Sequence, residues 1–124
     1  MIIKDKKLLL VSGKGESIYW TPGGRFGADE TSEQALKREL LEELNVSVQT
    51  AKFFMSAEYV DLKTGLKGIS HYDLVKTYGE IKLNNEIDKF DWFSNQDFED
   101  SDFKMATATV SSVIVPKLIS MGLL

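Results

Sequence analysis

GRFGADETSEQALKRELLEELNV, residues 24–46, is the stretch on which the reading of this chain turns. Its second half, Thr31 to Leu44, is dense in Glu, Leu, Ala, Lys, Arg and Gln, which lose little side-chain freedom in a helix. Thr31 and Gln34 stand at capping-box spacing. Asn45 follows the last apolar residue, where a left-handed backbone commonly ends a helix. The stretch therefore predicts a helix over residues 31–44. At roughly 100° per residue, Glu39, Glu42 and Glu43 fall within an arc of about 100°. Leu36, Leu40, Leu41 and Leu44 fill the adjoining arc, which puts the carboxylates at the edge of a buried stripe.

Upstream of this stretch, Pro22-Gly23-Gly24 ends a segment with one residue that has no N–H donor and two that tolerate unusual backbone angles. Ser17 to Trp20 reads as a short strand, and Gly13 with Gly15 as a turn. Lys7 to Val11 (KLLLV) is an apolar run of the length of a buried strand. Downstream, Phe53, Met55, Ala57 and Tyr59 alternate with the period of a strand. Lys63-Thr64-Gly65 predicts a hairpin turn into a strand over residues 69–77, with short strands expected near 80–83 and 90–93. Val110, Val113, Ile114, Leu118 and Met121 recur at helical spacing, predicting a C-terminal helix kinked or broken at Pro116. Strands, helix, strands, helix is the order of an α+β fold, or of a mixed sheet between helices.

Composition narrows the function. The chain of 124 residues, with 43% hydrophobic and 27% charged residues, has the size and balance of one soluble globular domain. It has no cysteine, which excludes thiolate nucleophiles and zinc–thiolate sites, and one histidine, His71, which excludes sites needing two. A net charge of −4 argues against a nucleic acid polymer as partner. No run approaches the roughly 18 apolar residues of a membrane span. Met1 to Asp5 carries charges within its first apolar stretch and does not read as a signal peptide. A cytoplasmic location is expected.

The bland reading of the glutamates is a solvated acidic face, and that of Pro22-Gly23-Gly24 is a tight turn. Glu39 and Glu43, however, are like charges four residues apart, a mildly destabilising pair that only Arg38 is placed to offset. A divalent cation would relieve the repulsion, and hard cations such as Mg²⁺ take oxygen ligands from carboxylates, water and phosphate. Glu30 stands just before the helix start, near the acidic cluster if the loop folds back.

At this point the residues meet a known pattern. Gly24, Glu30, Arg38, Glu39, Leu40, Glu42, Glu43 and Val46 match eight of nine positions of the Nudix box, G-x5-E-x7-R-E-U-x-E-E-x-G-U with U a bulky aliphatic. Six of these are glycine or charged types that each occupy roughly 6 to 7% of positions, so chance agreement is about one in 10⁷ starting points. The chain thus resembles the Nudix hydrolases over this box, and Tyr19-Trp20-Thr21-Pro22-Gly23 is similar to their usual lead-in. The departure is Asn45 where the family has glycine. Asparagine is the best substitute for a left-handed residue, so a small stability cost and an unchanged site are expected.

The resemblance implies a single domain over residues 1–124 with the Nudix fold, a mixed β-sheet sandwiched between α-helices. It implies hydrolysis of a diphosphate linkage in a nucleoside diphosphate joined to another moiety, and Mg²⁺ as cofactor, with Mn²⁺ as substitute. Glu39, Glu42 and Glu43 would be metal ligands, with the Gly24 carbonyl as a further one. Arg38 would hold a box glutamate in position, and Glu30 would support the site. The general base would be Glu86, placed on a later loop six residues before Trp92, or else Glu42 or Glu43. The substrate class stays open among nucleoside triphosphates, ADP-ribose, nucleotide sugars and dinucleoside polyphosphates. Members are often homodimers. An alternative is a catalytically silent nucleotide sensor, although such domains usually lose box glutamates and this chain keeps all four. A further rival is a purely structural acidic helix.

Three further signals read as structural more than functional. Gly13-Lys14-Gly15-Glu16-Ser17 has a distant likeness to a phosphate loop but lacks its spacing, and reads as a turn. His71 reads as a packed or surface residue in a strand. Tyr19, Trp20, Phe26, Tyr72, Phe90 and Trp92 are candidates for stacking on a base, most of them expected to be core.

Overall fold

The computed structural model describes residues 1–23, 28–61, 64–84, 86–100 and 106–124. Its central element is β2, Lys7–Gly13. Leu8, Leu9, Leu10 and Val11 are all fully buried, so the strand is covered on both faces, which is why it reads as an apolar run rather than an alternation. Leu8 and Leu10 join one core cluster and Leu9 and Val11 another. β2 pairs antiparallel with β1, Ile3–Lys4, and with β5, Ile87–Ser94. Asp5 and Lys6, both at positive φ (50° and 56°), make the two-residue turn between β1 and β2.

The helix α1, Ser32–Leu44, covers the second cluster through Leu40 and Leu44. Both bonds of the Thr31–Gln34 capping box are formed, and Asn45 closes the helix at φ 56° and ψ 31°. Leu41, expected in the apolar arc, is exposed. Next come the long strands β3, Ser47–Val60, and β4, Lys67–Tyr78, paired antiparallel. A bulge between Phe53 and Met55 breaks the expected alternation, burying Phe54 and exposing Phe53. Of the expected turn, Lys63 lies outside the described residues. Gly65, at φ 69°, donates to the Asp61 carbonyl at 2.7 Å. A parallel bridge between Ile2 and Val75 joins the hairpin to the other three strands, which makes the sheet mixed.

The opposite face is covered by the C-terminal segment. Val110–Ile114 is a π-helical turn running directly into α3, Val115–Ser120, and Val110, Ile114 and Leu118 pack on Leu8 and Leu10. The break expected at Pro116 takes this form: Val115 N–H reaches back to the Val110 carbonyl, and proline, lacking an N–H, sits in the first turn of α3. Val113 and Met121, expected in the buried stripe, are exposed. The sheet between α1 and the C-terminal helix is the expected sandwich.

Two predicted strands are absent. Ser17 to Trp20 forms single bridges only, Trp20 to Val11 and Tyr19 to Ala106. Residues 80–83 form no strand because their backbone is taken up by the end of α1. Lys82 N–H donates to the Leu44 carbonyl at 3.0 Å and Asn84 N–H to that of Glu43 at 3.1 Å. Carbonyls that a helix end leaves unpaired are thereby satisfied. A short helix that the sequence did not suggest, α2 at Asn95–Glu99, follows β5, capped by Ser94 and Asp97. Among the described residues no helix is long and apolar enough to cross a membrane.

Candidate active site

The capping box fixes where α1 starts, and its packing on β2 fixes which way it is rotated. The acidic arc is therefore aimed at the space beside the turn after β2. There Glu39 and Glu43 of α1 line one open cleft of about 660 Å³ with Lys14, Glu16, Trp20, Glu86 and Ile87. Glu86, the loop carboxylate of the sequence reading, is thus brought to two of the helix carboxylates.

Arg38 organises the glutamates that flank the cleft. Its Nε donates to Glu30 Oε2 and its Nη2 to Glu30 Oε1, both at 2.8 Å. Its Nη1 donates to Glu39 Oε1 at 2.8 Å and to Glu42 Oε2 at 3.2 Å. One guanidinium therefore spans three carboxylates. The bonds to Glu30 and then to Glu39 hold the Arg38 pKa above its ordinary value. Glu30, eight residues upstream, is drawn to the helix by this fork.

Glu43 is a strongly perturbed acid. Burial pushes its carboxyl up, the Gly23 hydrogen bond pulls it back, and the nearby charges of Glu39 and Glu42 raise it again, to about 7. Its Oε2 accepts the Gly23 N–H at 3.2 Å. Gly23, at φ 128°, holds a conformation that suits glycine, so the loop before α1 is tied to the site through its backbone. The sequence places Gly23 in the turn and in the lead-in to the box, and the bond to Glu43 adds a contact that spacing alone does not show. Gly24 lies outside the described residues. Among the described residues no three acidic or histidine side chains are gathered closely enough to hold a metal ion as they stand. Arg38 draws Glu39 and Glu42 toward itself instead.

Glu86 is exposed and paired with Lys14 Nζ at 2.9 Å. Lys14, Glu16 and Trp20 are cleft residues that the sequence reading did not assign. Lys14 belonged to the turn set aside for its spacing, and Trp20 to a group of six candidate aromatics. Of these six, Tyr19 is buried, Phe90 and Trp92 pack on the core beneath α1, and Phe26 lies outside the described residues. Tyr72 lines a second hollow of about 510 Å³ with Gly23, Leu36, Tyr59, Ile69 and His71. His71 is exposed, with Nδ1 2.9 Å from Ser56 Oγ.

A mixed sheet between two helical layers, with a glutamate-rich helix behind a glycine loop, defines the Nudix class of protein. Residues 1–112 match the NUDIX domain model, and the chain belongs to that family. A relative from Buchnera aphidicola subsp. Acyrthosiphon pisum (strain APS), an 8-oxo-dGTP diphosphatase, is 38% identical over 60 residues. That match spans 48% of this chain and 48% of the relative, about half the length of each. Among solved structures, a MutT protein from Methanosarcina mazei Go1 superposes with TM-score 0.80 at 19% identity, over 98% of this chain and 90% of that one. A MutT NUDIX hydrolase from Burkholderia pseudomallei gives 0.75 at 23%, over 94% and 90%. The E. coli ORF135 protein gives 0.78 at 21%, over 98% and 86%.

Proposed function

We propose that this chain is a divalent-cation-dependent pyrophosphohydrolase, one catalytic domain over residues 1–124, that cleaves the diphosphate linkage of a nucleoside diphosphate joined to another moiety. The observation that carries this reading is the meeting of Glu39, Glu43 and Glu86 on one cleft, with Glu30 and Glu42 held beside it by Arg38. The donors suit a hard cation: all are carboxylate oxygens, and the crowding that lifts Glu43 is relieved by added positive charge. Glu39, Glu42 and Glu43 would hold Mg²⁺, or Mn²⁺ in its place, with the Gly24 carbonyl as a further ligand. When bound, the cation supplies neutralisation of the diphosphate and a lowered pKa for nearby water.

The remaining work falls to the chain itself. Arg38 sets the rotamers of Glu39 and Glu42, and Glu30 in turn sets Arg38. The Gly23 N–H holds one oxygen of Glu43, and the same carboxyl shares a side-chain hydrogen bond with Glu39. Glu86 takes the proton of the attacking water as its oxygen bonds to phosphorus, and the bridging oxygen departs with the leaving moiety. Glu42 and Glu43 are the other carboxylates within the cluster able to take that proton.

For the substrate, the activity of the Buchnera relative favours a nucleoside triphosphate. The second hollow lies against the Gly23 loop and offers aromatic and apolar walls in Tyr59, Tyr72, His71 and Leu36 to a nucleobase. The net charge of −4 suits a small anion carried by a metal better than a polymer.

The test is product release from nucleoside triphosphates, ADP-ribose, nucleotide sugars and dinucleoside polyphosphates, with Mg²⁺ or with EDTA, for the wild type and Glu43→Gln. Metal-dependent turnover lost in the variant is the expected result. Tight nucleotide binding without turnover of any compound would replace this reading with that of a silent sensor.

A further inference from the structure

Among the described residues, Lys14 is the only cation lining the carboxylate cleft. It stands there because the turn after β2 is locked to the backbone of Glu86. Gly13 approaches so closely that a Cβ on it would lie 1.8 Å from the Glu86 carbonyl oxygen. The next residue, Lys14, donates its N–H to that same carbonyl at 3.1 Å. Lys14 itself has φ 56°, a conformation that glycine or asparagine adopts more readily than lysine. A strained backbone that presents a lysine at a cleft of carboxylates points to a use for its charge.

That charge is engaged in the free protein by Glu86 Oε2 at 2.9 Å. Both side chains are more than half exposed, 57% and 70%, and ion pairs this exposed contribute little to stability. Phosphate oxygens carry more charge than one carboxylate and are a stronger partner for an ammonium group. We propose that Lys14 binds a phosphate oxygen of the substrate, exchanging Glu86 for it, so that seating the phosphate also releases Glu86 to face water. This rests on the reading of the cleft as a diphosphate site. No bond to either residue is made or broken covalently; one ion pair replaces another. The glycine-flanked turn is thereby a phosphate-binding element built from one side chain, unlike loops that cradle phosphate with a run of backbone N–H groups.

The experiment is calorimetric titration of the full chain with inorganic pyrophosphate in the presence of Mg²⁺. Lys14→Ala is expected to weaken binding about tenfold and Lys14→Arg to restore most of it. Glu86→Gln, which leaves Lys14 without its competitor, is expected to tighten binding about threefold, and that gain should shrink in the Lys14→Ala/Glu86→Gln double variant. Pyrophosphate binding equal in Lys14→Ala and wild type overturns the proposal while leaving the diphosphate reading intact. So does a Glu86→Gln gain that is the same with and without Lys14, since it would reflect charge removal alone. Absence of pyrophosphate binding by the wild type overturns both readings together.

Discussion

Arg38 and Glu30 are joined by two parallel hydrogen bonds, Nε to Oε2 and Nη2 to Oε1, each 2.8 Å. The fork ties α1 to the loop that precedes it, while the third donor, Nη1, reaches Glu39 and Glu42. Lysine keeps the charge but has no planar fork and cannot span three carboxylates in fixed geometry. Arg38→Lys is therefore expected to lower kcat/KM by about tenfold or more while the protein stays folded. Steady-state kinetics beside circular dichroism would check this; an unchanged kcat/KM would mean the glutamates do not need the fork.

Glu43 gives the cation-free protein a pH dependence of definite sign. Its carboxyl is raised from 4.5 to about 7 by burial first, then by Glu39 and Glu42, against the Gly23 hydrogen bond. Between those pH values the folded chain keeps a proton that the unfolded chain has lost. The stability contribution of this group is therefore fully present below about pH 4.5 and is lost as pH rises to about 7. Glu43→Gln stays neutral and its amide oxygen can still accept from Gly23. With EDTA at pH 8 it is expected to melt above the wild type by roughly 3 to 5 °C, a figure reduced for partial solvent screening, and at pH 4.5 the gap should close. Paired thermal melts decide this, and a gap independent of pH would place the effect elsewhere.

In the proposed function the same carboxyl would link protons to metal. A ligand must be ionised to bind, so Mg²⁺ held by Glu43 would compete with its proton. Thermal stabilisation by a fixed Mg²⁺ concentration is expected to be larger at pH 8 than at pH 6, about tenfold tighter apparent binding across that interval. Melting curves over a Mg²⁺ series at the two pH values measure it. Equal shifts at both would separate Glu43 from the metal.

What could be read in the sequence was what is local. The helix over residues 31–44, its capping box, the left-handed Asn45 and the buried run of β2 all follow from neighbouring residues, and all stand in the structure. The arc of carboxylates was legible because a helix converts spacing into direction. The lost strands were non-local matters. Glu80 to Leu83 alternates as a strand would, but Lys82 and Asn84 spend their N–H groups on carbonyls at the end of α1, some forty residues earlier. Phe53 and Phe54 could not be sorted into exposed and buried without the bulge that the pairing with β4 imposes. Lys14 stood in a turn with no spacing to commend it, and only the closure of β2 on β5 brings it to Glu86.

Asn45 replaces the family glycine, and the structure gives the substitution more than tolerance. Its Nδ2 donates to the Lys82 carbonyl at 2.6 Å, a bond that glycine cannot make, and it fastens the segment leading to Glu86. Asn45→Gly should lose that bond while keeping the left-handed backbone, costing about 0.5 to 1 kcal/mol. Asn45→Ala should lose the bond and add backbone strain of roughly 1 to 2 kcal/mol. The expected order in urea denaturation is Asn, then Gly, then Ala. Gly equal to or above Asn would show that the side-chain bond contributes nothing.

Gly13 offers the sharpest steric test of how Glu86 is placed. A Cβ there would lie 1.8 Å from the Glu86 carbonyl oxygen and 2.8 Å from its carbon, so backbone, not a movable side chain, must yield. The contact falls where β2 and β5 change register between Ser12 and Gly13. Gly13→Ala is therefore expected to cost roughly 1 to 3 kcal/mol, the range for overpacking a close contact. It should also push the start of β5 outward, taking the Glu86 side chain away from Glu39 and Glu43. Activity should then fall further than Glu86→Gln alone produces, because the cleft loses its shape as well as one carboxylate. Urea denaturation and kcat measured on both variants would check the two halves separately. A Gly13→Ala protein as stable and as active as the wild type would mean that β2 and β5 separate here at no cost, and that the position of Glu86 is set from its other side.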